Sequence, residues 1–160
     1  MIKILRHLFL FCAVFVFAFN ASAQNRIKQG DKQFELFNYI KAIDLYELAY
    51  KKEPNAYVAE RLAKAYSLTK NYAQAESWAA MAVEMPNSKA ENVLLYAKAL
   101  QQNSKFSEAK RNFQKYTELA PGIDPVQKQL WLASCDSALS WMANPQRLDI
   151  INEKVLNSAQ

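Results

Sequence analysis

Along residues 24–143 apolar positions recur at steps of three and four, the rhythm of helices with one face turned to a core, and no run alternates as a strand would. The pattern then repeats itself. "NYIKAIDLYELAYKKEPN" from Asn38, "NYAQAESWAAMAVEMPN" from Asn71 and "KFSEAKRNFQKYTELAPG" from Lys105 each open with an aromatic residue: Tyr39, Tyr72 and Phe106. Each has Ala three positions later (Ala42, Ala75, Ala109) and closes on a proline (Pro54, Pro86, Pro121). Upstream, the small residues Gly30, Ala63 and Ala97 and then Gln33, Tyr66 and Leu100 keep the same register. A period of about 34 residues without strands predicts stacked helical hairpins, each a helix A, a short turn and a helix B.

Polar residues mark the unit boundaries. Ser88 and Glu91 have the spacing of a capping box before the third helix A, Asn71 and Gln74 form a weaker version before the second helix B, and Asn55 follows Pro54 where one unit gives way to the next. The small residues predict the seams. Two helices approach closely only where facing side chains are small, so Ala75 and Ala82 on one helix and Ala63 on another are expected at contacts. Tyr72 and Trp78 are expected to fill the gaps where the helices diverge. One hairpin cannot bury its own apolar face, whereas three stacked hairpins share a core.

These segments resemble the tetratricopeptide repeat (TPR) over about residues 24–122. The resemblance implies an all-α, right-handed helical-hairpin solenoid with repeats at about 23–55, 56–89 and 90–123. The chain departs from the family where a Gly usually precedes the inter-helix aromatic: Phe37, Lys70 and Ser104 stand there. Tyr116 also replaces a usual small residue late in the third helix B, which implies wider packing of the last helix. The family further implies a concave groove lined by the inner faces of the A helices. Its matching positions are Ile27, Asp31, Phe34 and Glu35, then Tyr57, Glu60, Lys64 and Leu68, then Glu91, Leu94, Lys98, Gln101 and Gln102. Chaperone-type members clamp a terminal carboxylate with Lys, Asn and Arg. Ile27, Asp31, Glu91 and Leu95 stand at such places here and only Arg61 is a partial match, so no carboxylate clamp is expected. Mixed charge with apolar spots fits an extended segment or a helix of a protein partner.

Beyond Pro121, Asp124-Pro125 predicts a cap followed by proline in the first turn of a further helix. Leu130, Ala133, Ser137 and Trp141 form one stripe of it and Trp131, Cys135, Ala138 and Met142 a second, giving a capping helix over about 125–142 that ends at Asn144-Pro145. The tail, 144–160, carries Leu148, Ile150, Ile151, Val155 and Leu156, an apolar strand-like segment that calls for a partner. "ASCDSALSWMANP" followed by "NEKVLNSAQ" resembles a family of exported Gram-negative envelope proteins. These join N-terminal TPRs to a WD40-like β-propeller and often to an OmpA-type peptidoglycan-binding domain, and some serve type IX secretion. The resemblance implies an envelope scaffold, the sequence being either a fragment whose tail begins a downstream domain or a short paralogue. Peptidoglycan binding is not implied, because no OmpA-type segment matches.

The N-terminus adds a destination. "MIKILRH" carries Lys3, Arg6 and His7, an uncharged apolar run follows from Leu8 to Phe19, and Ala21-Ser22-Ala23 completes the order of a secretory signal peptide over 1–23. The run is shorter than the ~20 residues of a membrane span, so no transmembrane segment is expected after cleavage. "FLFC" lacks the small residue that precedes a lipidated cysteine. The expected location is the periplasm or the periplasmic face of the outer membrane. What remains after cleavage, 24–160, suits one domain. Without Lys3 and Arg6 the 20 basic residues fall to 18 against 15 acidic, a net charge of +3 too weak and mixed for a nucleic-acid partner.

Candidate chemistry is sparse. No histidine follows His7, which removes His-based triads and His metal sites, and one cysteine, Cys135, leaves no internal disulfide. Cys135 has no cation on adjacent turns and Asp136 beside it, so a buried structural thiol is expected. Asp44 with Glu47 and Glu53 near Glu60 stand beside Lys41, Lys51 and Lys52 and are expected as solvated charge, not as an acid–base pair. Trp78, Trp131 and Trp141 are expected in the core or between repeats. No catalytic residue, cofactor or metal ligand set is predicted. The expected role is a non-enzymatic scaffold or adaptor. The alternative is a glycan-binding accessory protein of an outer-membrane uptake system, which an exposed aromatic platform would favour.

Overall fold

Helix ends set the frame. The computed structural model describes residues 23–145, so the expected leader (1–23) and tail (144–160) lie outside it apart from Ala23 and Asn144-Pro145. The helices are α1 over 23–35, α2 Tyr39–Lys52, α3 Ala56–Leu68, α4 Tyr72–Glu84, α5 Ala90–Gln102, α6 Phe106–Leu119 and α7 Pro125–Ala143. No strand occurs among the described residues. α1, α3 and α5 end alike. The N–H groups of Asn38, Asn71 and Lys105 donate to the carbonyls of Gln33, Tyr66 and Leu100, each at 2.9 Å. One position earlier, the N–H groups of Phe37, Lys70 and Ser104 donate to Phe34, Ser67 and Gln101, each at 3.0 Å. This is a Schellman motif three times over. It forces the residue before each aromatic into left-handed backbone, with φ of 59° at Phe37, 60° at Lys70 and 59° at Ser104. Glycine takes that conformation freely and other residues do not. The departures noted in the sequence are therefore three strained turns at the same place in each repeat.

Asn55 and Asn71 cap as expected, accepting from Val58 N at 3.0 Å and Gln74 N at 3.3 Å, and Asp124 accepts from Val126 N at 3.1 Å with Pro125 in the first turn. The Ser88–Glu91 box does not form. α5 begins at Ala90 with Lys89 as an N-cap that makes no side-chain cap bond. The Ser88 hydroxyl accepts instead from Asn92 Nδ2 at 3.1 Å, which withdraws it from the backbone.

Packing follows the small residues. Gly30, Ala63 and Ala97, and likewise Ala42, Ala75 and Ala109, are all buried. Gly30 is the tightest seam: a Cβ there would lie 2.6 Å from Cε1 of Tyr46. Tyr46 is fully buried in a first cluster with Ala42, Ile43, Ala49, Val58, Leu62 and Ala65. Ala63, Ala79 and Ala99 form a second, smaller cluster. Ala97, Leu100, Ala109, Phe113 and Cys135 form a third. Trp78 joins the first two clusters, meeting Tyr50 edge-on at 4.8 Å between ring centroids. Tyr72 is half-buried. Each hairpin thus completes the core of its neighbour.

Two features depart from the repeat. Asn92 takes the place that the fully buried Val58 holds one repeat earlier and is itself 1% exposed, yet its Oδ1 has no hydrogen-bond partner among the described residues. α7 is the other. Trp131 stacks on Phe113 at 5.4 Å and 11° and touches Tyr116 at 5.9 Å, so the bulky Tyr116 becomes part of the seam. The Leu130–Ala133–Ser137–Trp141 stripe faces solvent, with Leu130 59% and Trp141 74% exposed. The expectation that Trp141 is a core residue is therefore corrected. α6 covers one side of α7 and no described element covers the other. Met142 is exposed as well, since the second stripe turns out of the seam beyond Ala138.

Ala75→Leu or Gly30→Ala overpacks a seam and should lower stability by ~1–3 kcal/mol in chemical denaturation. Ser104→Gly relieves a left-handed residue and should raise it by ~0.5–1 kcal/mol. Asn92→Val removes an unsatisfied buried group and should raise it by about 1 kcal/mol. Unchanged denaturation midpoints would contradict this packing register.

Candidate functional site

The two layers of the stack are chemically unlike. Among non-consecutive helices α3 and α5 pack directly on each other, which identifies the odd-numbered helices as the inner layer. Each neighbouring pair in that layer is joined by side-chain hydrogen bonds. Ser67 Oγ on α3 donates to Gln102 Oε1 on α5 at 3.1 Å, and Gln101 Nε2 on α5 donates to Ser134 Oγ on α7 at 2.9 Å.

The α1–α3 junction is the densest. Asp31 Oδ1 accepts from the hydroxyls of Tyr46 and Tyr57, each at 2.7 Å, and from Arg61 Nε at 3.0 Å. The Arg61 Nε–H is shared with the Tyr46 hydroxyl oxygen at 2.9 Å. The guanidinium carbon lies 4.1 Å from the centroid of the Phe34 ring, a cation–π contact. Arg61 is thus gripped at Nε and on one face, while its terminal nitrogens carry no hydrogen bond among the described residues. Burial raises the Tyr57 phenol to about 12, with the bond to Asp31 adding to it. The same two causes, in that order, hold Tyr46 well above its ordinary range.

The groove positions inferred from the sequence divide into four groups. Glu35, Tyr57, Glu91 and Lys98 are exposed, as are Leu68 and Gln102. Lys64 is half-exposed and pairs with Glu60 one turn away, whose side chain is only 15% exposed. Phe34, Asp31 and Gln101 are structural as much as available, being bound to Arg61, to the tyrosines and to Ser134. Ile27 and Leu94 pack onto core clusters. Between the N-terminal ends of α3 and α5 lies a cleft of about 260 Å³, lined by Tyr57, Glu60, Asn87, Lys89 and Asn92 among others.

The sequence does not announce the Asp31–Tyr46–Arg61 junction, although Asp31 and Arg61 each stand out in it. A signal exists: the two are separated by slightly less than one repeat, which puts them on facing sides of neighbouring A helices. The other candidates are accounted for. Cys135 is fully buried and burial pushes its thiol up, with the Asp136 charge adding to it, as a structural cysteine requires. Glu47 is not simply solvated; it accepts from the Tyr66 hydroxyl at 2.6 Å. Glu60 is held by Lys64, while Asp44 and Glu53 are exposed. Among the described residues no three His, Cys, Asp or Glu side chains are grouped to hold a metal ion, and no helix is long and apolar enough to cross a membrane.

The described helices, in antiparallel pairs stacked with a common offset and joined along one layer, match solved domains. The first TPR domain of Spaghetti (RPAP3), solved bound to the HSP90 peptide SRMEEVD, superposes with a TM-score of 0.68 at 27% identity, covering 76% of this chain and 95% of that one. The first TPR domain of human RPAP3 gives 0.69 at 26% identity, with 79% and 99% covered. The fold is that of a tetratricopeptide repeat domain. The type III secretion chaperone SycD of Yersinia enterocolitica, in complex with a peptide of the translocator YopD, shares that fold with a TM-score of 0.58 at 16% identity, over 75% of this chain and 91% of that one. No family model matches the chain, and no curated protein does.

Within this TPR domain, the densest polar element is the fixed arginine. A phenol whose folded pKa is raised favours the protonated form, so its contribution is complete below the unfolded value near 10 and lost as pH rises through the folded value. Denaturation at about pH 9 and about pH 11.5 should therefore show lower stability at the higher pH, and Tyr46→Phe with Tyr57→Phe should flatten that dependence. The Tyr57 phenolate should appear only near pH 12 in the folded protein. Ordinary titration of every tyrosine near pH 10 would contradict the network.

Proposed function

We propose that this chain is an exported, non-enzymatic TPR scaffold that holds an extended segment or helix of a protein partner along its inner layer, within a Gram-negative envelope complex. One observation carries the reading. The inner-layer polar groups are fixed by inter-helix bonds, while Tyr57, Lys64, Lys98, Glu35 and Glu91 remain accessible along it. A surface held rigid before binding loses little side-chain freedom when a partner arrives.

The peptide complexes among the TPR neighbours support a peptide-like ligand. A free terminal carboxylate is not the expected ligand. Asp31 occupies the Nε edge of Arg61, and Glu91 places negative charge where a clamp needs a cation. The leader-like N-terminus and the likeness of residues 133–160 to TPR, propeller and OmpA-type envelope proteins support the location, with type IX secretion as one such setting. Exposed Trp141 is the feature that favours the glycan-binding alternative. Trp78 and Trp131 are taken up by ring contacts in the core, and one exposed ring is a poor platform.

The test is a crosslinked pull-down from intact envelopes with tagged residues 24–160, compared with Lys64→Glu/Lys98→Glu. Specific envelope proteins should be recovered by the parent and lost by the variant, whose helical signal stays the same. Capture that survives the double change would place binding elsewhere. Recovery of no envelope protein would defeat the scaffold reading.

A further inference from the structure

The first hairpin turn differs from the other two in what it shows to solvent. Leu36, Phe37 and Ile40 correspond by the repeat spacing to Thr69, Lys70 and Ala73 in the second turn and to Asn103, Ser104 and Ser107 in the third. The three apolar side chains are 62%, 78% and 64% exposed. Phe37 is also the left-handed residue of its turn, with φ of 59°. A large apolar side chain that is both strained and exposed gains nothing for folding. Its ring is nevertheless held: it meets Tyr39 edge-on at 6.3 Å and 89°, and Tyr39 meets Phe34 at 5.1 Å and 69°.

The charges around the tip are mostly positive. Lys32, one turn below it, Lys41 beside Ile40, and Lys70 at the neighbouring tip are exposed and form no ion pair among the described residues. Against them stand Glu35 at the tip and Asp44 one turn down α2. Because the hairpins stack in parallel, the turns at 36–38, 69–71 and 103–105 lie at one end of the stack. Exposed Leu68 adds to that end beside the second tip.

We propose that this edge is a membrane-docking surface, at which Leu36, Phe37 and Ile40 enter an anionic phospholipid leaflet while Lys32, Lys41 and Lys70 meet its headgroups. A bilayer accepts apolar side chains projecting from a convex turn without a matching cavity, and lysines at headgroup depth favour anionic lipid. A protein partner would need a pocket shaped to a protruding tip. The contact is made by one edge of the stack and, apart from Glu35 and Leu68 at that edge, leaves the inner layer open, so it does not depend on the scaffold reading.

The test is vesicle pelleting of residues 24–160, which omits the apolar run at 8–19 so that it contributes no signal. Helical circular dichroism and a cooperative melt check that this part is folded. Vesicles of phosphatidylcholine with about 30% phosphatidylglycerol are compared with phosphatidylcholine alone. The parent should pellet preferentially with the anionic vesicles. Phe37→Gly should reduce partitioning by about tenfold or more while raising the melting temperature, and Leu36→Ser/Ile40→Ser should reduce it similarly. Ser104→Gly relieves the same strain in another turn and should leave partitioning unchanged. Three results would overturn the proposal: no binding by the parent, equal binding to neutral vesicles, or Phe37→Gly behaving like Ser104→Gly. Loss of a soluble partner by Phe37→Gly without any vesicle binding would assign the patch to a protein instead.

Discussion

Every hairpin in this chain leaves an apolar face that only its neighbour can cover. That constraint organises the rest. It requires close seams, hence Gly30, Ala63 and Ala97 on the inner helices and alanines at matching points of the outer ones. At the first seam the approach is so close that Tyr46 lies against the bare Cα of Gly30. The phenol is carried across the layer to Asp31 and Arg61. The rigid polar junction on the inner layer is therefore a product of core packing and not an independent device.

The same constraint explains what is legible in the sequence. Register positions such as Ala42, Ala75 and Ala109 state their role directly, because a seam tolerates only small side chains. Caps with one local partner, Asn55 and Asp124, are equally legible. Ser88 misleads because a local pattern competes with tertiary context: Asn92 enters the position that Val58 holds in the preceding repeat and takes the hydroxyl for itself. Trp141 misleads because α7 is apolar on more than one side, so its sequence does not say which stripe meets α6. The inner-layer candidates fall largely on the helices expected of them. Their pairings, Asp31 with Arg61 and Gln101 with Ser134, depend on the offset between repeats, which no single repeat encodes.

The turns illustrate a disagreement between local preference and global fold. The stack dictates left-handed backbone at Phe37, Lys70 and Ser104, whatever residue stands there. Sequences are usually locally consistent with their folds, and lapses tend to collect where some other demand acts. Two of these residues are polar and unremarkable at a solvent-facing turn. Phe37 is not, which makes the first turn chemically distinct on an otherwise ordinary edge.

The inner-layer bonds also give the stack a mechanical character. Its outer seams are apolar contacts that tolerate small slides, whereas the inner layer is tied by short, directional bonds that tolerate little extension. Straightening the solenoid would load those ties first. They are not equal: two donors from α3, Tyr57 and Arg61, converge on Asp31 of α1, where Tyr46 of α2 joins them, and one hydrogen bond each joins Ser67 to Gln102 and Gln101 to Ser134. The structure is thus a spring of two stiffnesses, firmer between α1 and α3 than along the rest of its inner layer, and its curvature yields first beyond α3.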